Sequence, residues 1–347
     1  MTAVVTGAAG FIGRTLVTAL RAVGHKIVGI DRAPQRGLPG VETITADLLE
    51  GDPDVLTALA EADLVFHLAG CPGVRDEAPD LAVRRYRDNV LATALVTAAV
   101  PMCTPLVVTS SSSVYGGTGT GRANRERDPL RPRGGYAESK VLVERLCASR
   151  LEAGGLVTVV RPFTVAGEGQ RPDMALARWI AAARAGRPLM ILGSPARTRD
   201  ITDVRQVASA LIALAMEAYA GVVNIGTGTG HTLAALVDAI SDALDLSVET
   251  VIRPAQRVEV SDTRADTALL RRLIGWVPHT DLPALVRRQI AAMQLDNYGV
   301  RPEACALVAA RPRAEPAVAT QPKAQRGAQH AGRPIVAAHL PAQPVVA

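Results

Sequence analysis

Along the first 166 residues, short runs of β-branched and apolar residues alternate with longer stretches whose apolar positions recur every three or four residues. Residues 3–6, 26–31, 42–46, 63–67, 106–110 and 156–161 read as strands, and 12–23, 81–100 and 136–151 as helices. Strands with so little polar alternation suit burial on both faces, and a helix after a strand brings the next strand back parallel. The pattern predicts an α/β fold, a Rossmann-type doubly wound parallel sheet with helices on both faces. After Pro162 the alternation loosens. Helices at 174–185, 204–219, 232–244 and 282–293, with strands at 189–192 and 222–225, predict a smaller C-terminal lobe that shares elements with the sheet. From Asp296 the chain is rich in Ala, Pro, Gln and Arg and has no period, the composition of a disordered tail. The expected units are residues 1–166, 167–294 and 295–347.

Composition narrows the choice of function. Of 347 residues, 48% are hydrophobic and 20% charged, enough apolar material for a sizeable core. Aromatic residues make up 3%, too few for a platform that stacks single-stranded nucleic acid. The formal charge is +5, but residues 301–347 hold six basic and two acidic side chains, leaving +1 for the first 300. The body therefore has no basic surplus to attract nucleic acid. Cys71, Cys103, Cys147 and Cys305 are far apart and form no CxxC or Cys/His cluster, so neither a metal site nor a disulfide framework is expected. No basic stretch precedes an apolar run near Met1, and the longest uncharged apolar run in the middle of the chain, 207–216, is too short to span a bilayer. The expectation is a cytoplasmic protein without membrane contact.

The first strand runs into Thr6-Gly7-Ala8-Ala9-Gly10-Phe11-Ile12-Gly13, where a helix begins. A G-x-x-G-x-x-G turn at that junction suits a pyrophosphate. Gly7 permits the sharp exit from the strand, Gly10 lets backbone approach the anion, and Gly13 allows close packing. The helix N-terminus offers free N–H groups and a partial positive charge. Asp31 closes the second strand, where a carboxylate bonds both ribose hydroxyls of an adenosine and repels a 2′-phosphate. That points to NAD as cofactor. Arg32 pulls the other way, because a guanidinium can pair with a 2′-phosphate.

Tyr136-Ala137-Glu138-Ser139-Lys140 opens a predicted helix, and positions four apart share a helix face. A phenol is a poor base at neutral pH. Lowering its pKa by about 3 units takes roughly 4 kcal/mol, which a lysine ammonium and a cationic nicotinamide ring can supply in a dry pocket. At the end of the fifth strand, where open parallel sheets place their ligands, lies Thr109-Ser110-Ser111-Ser112-Ser113-Val114-Tyr115-Gly116. A hydroxyl there can hold the oxygen that Tyr136 deprotonates.

With these motifs in order, residues 2–293 resemble the extended short-chain dehydrogenase/reductase family, and among them the nucleotide-sugar epimerases. The resemblance rests on TGAAGFIG, Asp31, Asp47-Leu48, His67-Leu68-Ala69-Gly70, SSSSVYG, YAESK, Arg161-Pro162-Phe163-Thr164-Val165, GQRPDMALARWI, Arg199-Asp200-Ile201-Thr202-Asp203-Val204 and Leu273-Ile274-Gly275-Trp276. It implies that Ser111, Tyr136 and Lys140 are catalytic. It places Gly7, Gly10, Phe11, Ile12, Gly13, Asp31, Arg32, Asp47, Leu48, Ala69, Gly70, Asn89 and Pro162 along the cofactor, with Tyr136 and Lys140 reaching it too. Ser112, Thr164, Arg199, Arg75 and Arg257 fall at the substrate, Arg199 gripping its diphosphate.

The same resemblance suggests the reaction. Sugar dehydratases of the family carry an Asp and a Glu after the catalytic Ser or Thr, and UDP-glucuronate decarboxylases a Glu. This chain has Ser112 and Ser113 there. Gly73-Val74-Arg75 and Arg171-Pro172-Asp173-Met174-Ala175 resemble UDP-sugar 4-epimerases, those of glucuronate in particular. The implied function is an NAD-dependent 4-epimerase of a UDP- or dTDP-linked hexose or hexuronate, acting through a transient 4-keto sugar. A 4-ketoreductase of the same fold is the alternative. A homodimer paired through helices 81–100 and 136–151 is expected. The substrate lobe departs from the family pattern: Thr164 replaces Asn, Val258-Glu259 replaces Gly-Asp, and Ser261 stands in an Arg position that Arg253 or Arg257 would have to fill.

Overall fold

The computed structural model describes residues 1–297 apart from 36–39, 74–77, 119–120 and 257. Strands β1 (Thr2–Thr6), β2 (Lys26–Asp31), β3 (Glu42–Thr45), β4 (Leu64–His67), β5 (Leu106–Thr109) and β6 (Val157–Pro162) follow the predicted pattern closely. After them come β7 (Thr164–Ala166), β8 (Leu189–Leu192), β9 (Thr198–Arg199), β10 (Ile201–Asp203), β11 (Gly221–Ile225), β12 (His231–Thr232) and β13 (Thr250–Arg253). Seven strands form one all-parallel sheet in the order β11-β6-β5-β4-β1-β2-β3. The order reverses between β1 and β4. Their register pairs Val5 with Phe66 and Thr6 with His67, so the two strands end level and a cleft opens beyond them.

Helices cover both faces. They are α1 (Phe11–Ala22), α2 (Pro53–Glu61), α3 (Leu81–Arg85), α4 (Ala92–Ala99), α5 (Gly135–Glu152), α6 (Ala175–Arg184), α7 (Val204–Met216), α8 (Leu233–Leu244), α9 (Ala268–Ile274) and α10 (Leu282–Asn297). On one face Leu16, Val17 and Leu20 of α1 join Val207, Leu211 and Leu214 of α7 over the sheet. On the other, Val55 and Leu59 of α2, Val96 of α4, and Val143 and Cys147 of α5 do the same. Burial pushes the Cys147 thiol up to about 12, which keeps it an inert core group. A separate core of Ile180, Leu189, Ile240 and Leu285 lies among α6, β8, α8 and α10. β11 pairs with β6, so this late segment completes the main sheet, whereas β7–β10, β9–β12 and β8–β13 are separate two-stranded pairs.

The helix expected over 81–100 is present but not uniform. Tyr86–Leu91, between α3 and α4, is a π-helical turn. It feeds Asp88 and Asn89 into the interior beside the cleft, and both are buried. α2 was not anticipated. It is short, with only Val55 and Leu59 buried, yet it begins as a capped helix should: Asp52 accepts from the Asp54 N–H at 2.9 Å, and Pro53 occupies the first turn.

A buried polar network fastens the middle of the sheet to α5 and to the loop leading to it. Arg161 at the end of β6 donates through Nε and Nη2 to Glu144 at 2.8 and 2.6 Å, and through Nη1 to the Tyr115 hydroxyl at 2.8 Å and the Glu126 carbonyl at 2.9 Å. Ser110 donates to Glu144 at 2.5 Å, and Tyr115 donates to Asn224 at 2.7 Å. Burial alone would lower the Arg161 pKa, and the bonds to Glu144 more than reverse it. Removing one member strands the other charge. Glu144→Gln is therefore expected to lower unfolding free energy by about 3–5 kcal/mol, read from the urea midpoint.

Candidate functional site

The cleft beyond β1, β4 and β5 has a volume of about 1640 Å³ and runs from the Gly7–Gly13 turn past Ser111 and Tyr136 to Arg199 and Glu259. At its start the chain conformation requires glycine. Gly7 has φ of +73°, and a Cβ there would sit 2.6 Å from the Ala69 nitrogen. A Cβ on Gly13 would sit 2.1 Å from the Gly7 carbonyl oxygen, so Gly13 serves the turn itself rather than helix–sheet packing. Gly10, the N-cap of α1, supplies no side chain to the first N–H groups of the helix. A turn with uncapped N–H groups at a switch point fits the pyrophosphate of a dinucleotide. Phe11 and Ile12, partly buried against the core, line the same wall.

At the end of the cleft beside β2, Asp31 accepts from the N–H groups of Ala9 and Ala33, both at 2.9 Å. Arg32 does not extend freely into the cleft. It bonds Asp88 at 2.8 Å and lies 3.6 Å from Asp47. Asp47 caps the short turn that follows, accepting from Leu49 N at 3.0 Å, and Leu48 is buried beside it. Burial would raise the Asp47 carboxyl, but the Leu49 N–H and the charges of Arg87 and Arg32 hold it below its usual range.

Asn89 sits under the middle of the cleft. Its amide oxygen accepts from Cys71 N at 2.7 Å, and its amide nitrogen donates to Cys71 O at 3.2 Å and to Ser139 Oγ at 2.8 Å. It thereby ties the Ala69-Gly70-Cys71 loop to α5. A Cβ on Gly70 would lie 2.6 Å from the Asn89 amide oxygen and 3.7 Å from Lys140 Nζ. His67 is neutral in the interior, bonded to Thr6 at 2.7 Å through Nδ1 and to Thr93 at 3.1 Å through Nε2. Burial, with the Lys140 charge nearby, depresses its pKa to about 3.

Ser111, Tyr136 and Lys140 all line the cleft, as do Gly70 and Pro162. Ser111 caps a short helical turn through Ser113 N at 3.1 Å and is hydrogen-bonded to Tyr136. Lys140, one turn along α5, is buried and donates to the Thr109 carbonyl at 2.8 Å. Burial depresses its pKa to about 8. Burial also raises the Tyr136 phenol above its usual value, although the Ser111 bond and the charges of Arg171 and Arg85 pull it down. A cationic nicotinamide ring bound beside the phenol would favour its charged form.

Toward the lobe, Ser112, Thr164 and Arg199 line the cleft. The Arg199 guanidinium donates to Thr198 O at 2.8 Å, Val260 O at 2.9 Å and Ser261 O at 3.1 Å, with Glu259 3.6 Å away. It is oriented by backbone carbonyls of residues 198, 260 and 261 rather than left as an open fork. Arg75 and Arg257 lie outside the described residues, and Arg253, exposed on β13, is not among the described residues lining the cleft. Arg171 was quoted only as part of a motif. It lines the cleft, bonds Asp173 at 2.8 and 2.7 Å, and acts electrostatically on Tyr136. Its signal was the Arg-Pro-Asp spacing, which lets a guanidinium reach a carboxylate two residues on. Among the described residues no helix is long and apolar enough to cross a membrane, and no group of His, Cys, Asp and Glu is placed to hold a metal.

Residues 3–226 match the model of the NAD dependent epimerase/dehydratase family. The chain belongs to that family. It is 32% identical over 301 residues to a dTDP-6-deoxy-L-talose 4-dehydrogenase (NAD(P)+) of Kitasatospora kifunensis, covering 82% of this chain and 92% of the relative. It is 30% identical over 302 residues to a UDP-glucose 4-epimerase of Mycolicibacterium smegmatis, covering 81% and 95%. The solved structure of MoeE5 in complex with UDP-glucuronic acid and NAD superposes with a TM-score of 0.77 at 35% identity, covering 85% of this chain and all of that one. The cofactor is NAD, and the enzyme is one of the nucleotide-sugar type.

The buried His67 makes a test of the site's foundation. Its folded pKa of about 3 lies below its ordinary 6.5, so its contribution is intact above pH 6.5 and is lost as the pH falls toward 3. His67→Gln should flatten that acid limb of stability while lowering the plateau at pH 7, as read by denaturant melts across pH 4–8.

Proposed function

We propose that the protein is an NAD-dependent 4-epimerase of a UDP-linked hexose or hexuronate. The observation that carries this reading is the set of groups around Tyr136. Ser111 is bonded to the phenol, Lys140 lies one turn along α5 with its Nζ on the Thr109 carbonyl, and Asp173, a carboxylate lining the same cleft, is held on both oxygens by Arg171. Water elimination requires a carboxyl acid and a base beside the sugar. The positions after Ser111 are hydroxyls instead. Those residues suit a reaction in which one proton and one hydride leave C4 and its oxygen and then return.

NAD held along the Gly7–Gly13 turn and Asp31 would supply the hydride acceptor and donor at C4. Ser111 holds the O4 oxygen, and the Tyr136 hydroxyl oxygen takes the O4 proton. The Lys140 ammonium favours the charged form of that phenol. When the 4-keto sugar has turned over in the cleft, Tyr136 returns the proton. The turning room is consistent with a cleft lined at Thr164 and Ser112 by small side chains. Arg171, with its positive charge near Tyr136, suits a sugar that carries a C6 carboxylate. Val83, Tyr86 and Leu91 are exposed along α3 and the π turn, 71%, 53% and 41%. They support pairing of two chains through this helix and α5.

Proton NMR of the protein with NAD and UDP-glucose, UDP-glucuronate or UDP-N-acetylglucosamine is expected to show a new 4-epimer without net NADH. Tyr136→Phe should fold and lose nearly all turnover. Stoichiometric NADH consumption with a 4-keto sugar would move the assignment to a ketoreductase. Ser111→Ala removes a bond that lowers the Tyr136 pKa, so the rising limb of its pH–rate profile should shift to higher pH.

A further inference from the structure

Asp31 accounts for a preference against a 2′-phosphate, but Arg32 beside it is the side-chain type that receives one. The structure shows where that guanidinium goes. Arg32 Nη2 donates to Asp88 Oδ2 at 2.8 Å and Nη1 to Asp88 Oδ1 at 3.4 Å, and Nη1 lies 3.6 Å from Asp47 Oδ2. Arg87 closes the ring, donating to Asp47 Oδ2 and Asp88 Oδ1, both at 2.8 Å. Two guanidiniums thus alternate with two carboxylates. The carboxylates are the fixed members, with side chains 13% and 10% exposed, while Arg32 is 55% exposed. Asp88 is fixed because it stands on the π-helical turn Tyr86–Leu91, whose next residue, Asn89, is buried under the cleft floor. Asp31, Arg32, Asp47 and Asp88 all line the cleft at this end.

We propose that Asp88 is a specificity-determining residue for the cofactor: it holds Arg32 away from the ribose 2′ position, and so keeps a ready-made phosphate ligand out of use. With Asp31 included, three carboxylates face two guanidiniums there, a net negative charge toward the ribose. A 2′-phosphate with its nearly two negative charges is repelled, whereas a 2′-hydroxyl is not. Neutralising Asp88 removes one repelling charge and leaves Arg32 only its longer contact with Asp47, so one substitution acts twice. A relative 32% identical over 301 residues is a dehydrogenase that takes NAD(P)+.

The test is a binding measurement on full-length protein stripped of cofactor, following NADH and NADPH fluorescence. Asp88→Asn is expected to improve the NADPH dissociation constant about tenfold relative to that of NADH. The double variant Asp88→Asn/Arg32→Gln is expected to lose that gain, because Arg32 is the released ligand. An unchanged NADPH/NADH ratio in Asp88→Asn would overturn the proposal, and so would a gain that survives in full in the double variant. If Asp88→Asn does not fold, Asp88→Ser is read by the same two criteria.

Discussion

The molecule is organised by one close approach between two strand ends. β1 and β4 finish level, and the chain leaving β1 turns at Gly7 so tightly against Ala69 that no Cβ fits between them. That contact fixes the floor of the cleft. From Gly7 the turn delivers the N-terminus of α1, while from Ala69 the chain passes to Gly70 and Cys71, over Asn89 and beside Lys140. The dinucleotide end and the chemical end are thus positioned by the same few ångströms of backbone. Helices, lobe and loops attach around that junction without setting it.

Much of this was legible in the sequence. Strands buried on both faces write themselves as unbroken apolar runs, so β1, β2, β4, β5 and β6 are legible with their bounds nearly right. The glycine turn, Asp31 and the Ser111–Tyr136–Lys140 group were equally plain, because each rests on local spacing. The short strands β7, β9, β10, β12 and β13 left no pattern, because two to four residues seldom show a period, whereas β8 reads as a strand over 189–192 and is found there. α9, of seven residues with one buried, was hidden for the same reason. The π turn was invisible because it keeps helical composition and changes only the phase.

What the sequence pattern could not show in the site was electrostatic. Arg32 and Arg199 both carry the right side chain for an anion. Yet one is tied by Asp47 and Asp88 from distant parts of the chain, and the other by carbonyls of residues 198, 260 and 261. Partners separated by about sixty residues are set by the fold, not by spacing. Likewise, the direction of the Tyr136 shift follows from burial, which opposes Ser111, Arg171 and Arg85 and outweighs them.

The π-helical turn has a consequence for how this surface can vary. One residue more per turn offsets the helix downstream by about 100° relative to the helix upstream. α3 and α4 thus form one rod with two independent phases. The upstream half exposes Val83, while the downstream half buries Thr93 and Val96 against the sheet. Substitutions that remodel the outer face leave the inner register untouched. The loss of a single residue between Tyr86 and Leu91 would bring the two halves into phase and turn Asp88 and Asn89 away from the cleft together. The length of that one turn, more than its chemistry, keeps the surface and the interior of this helix separately adjustable.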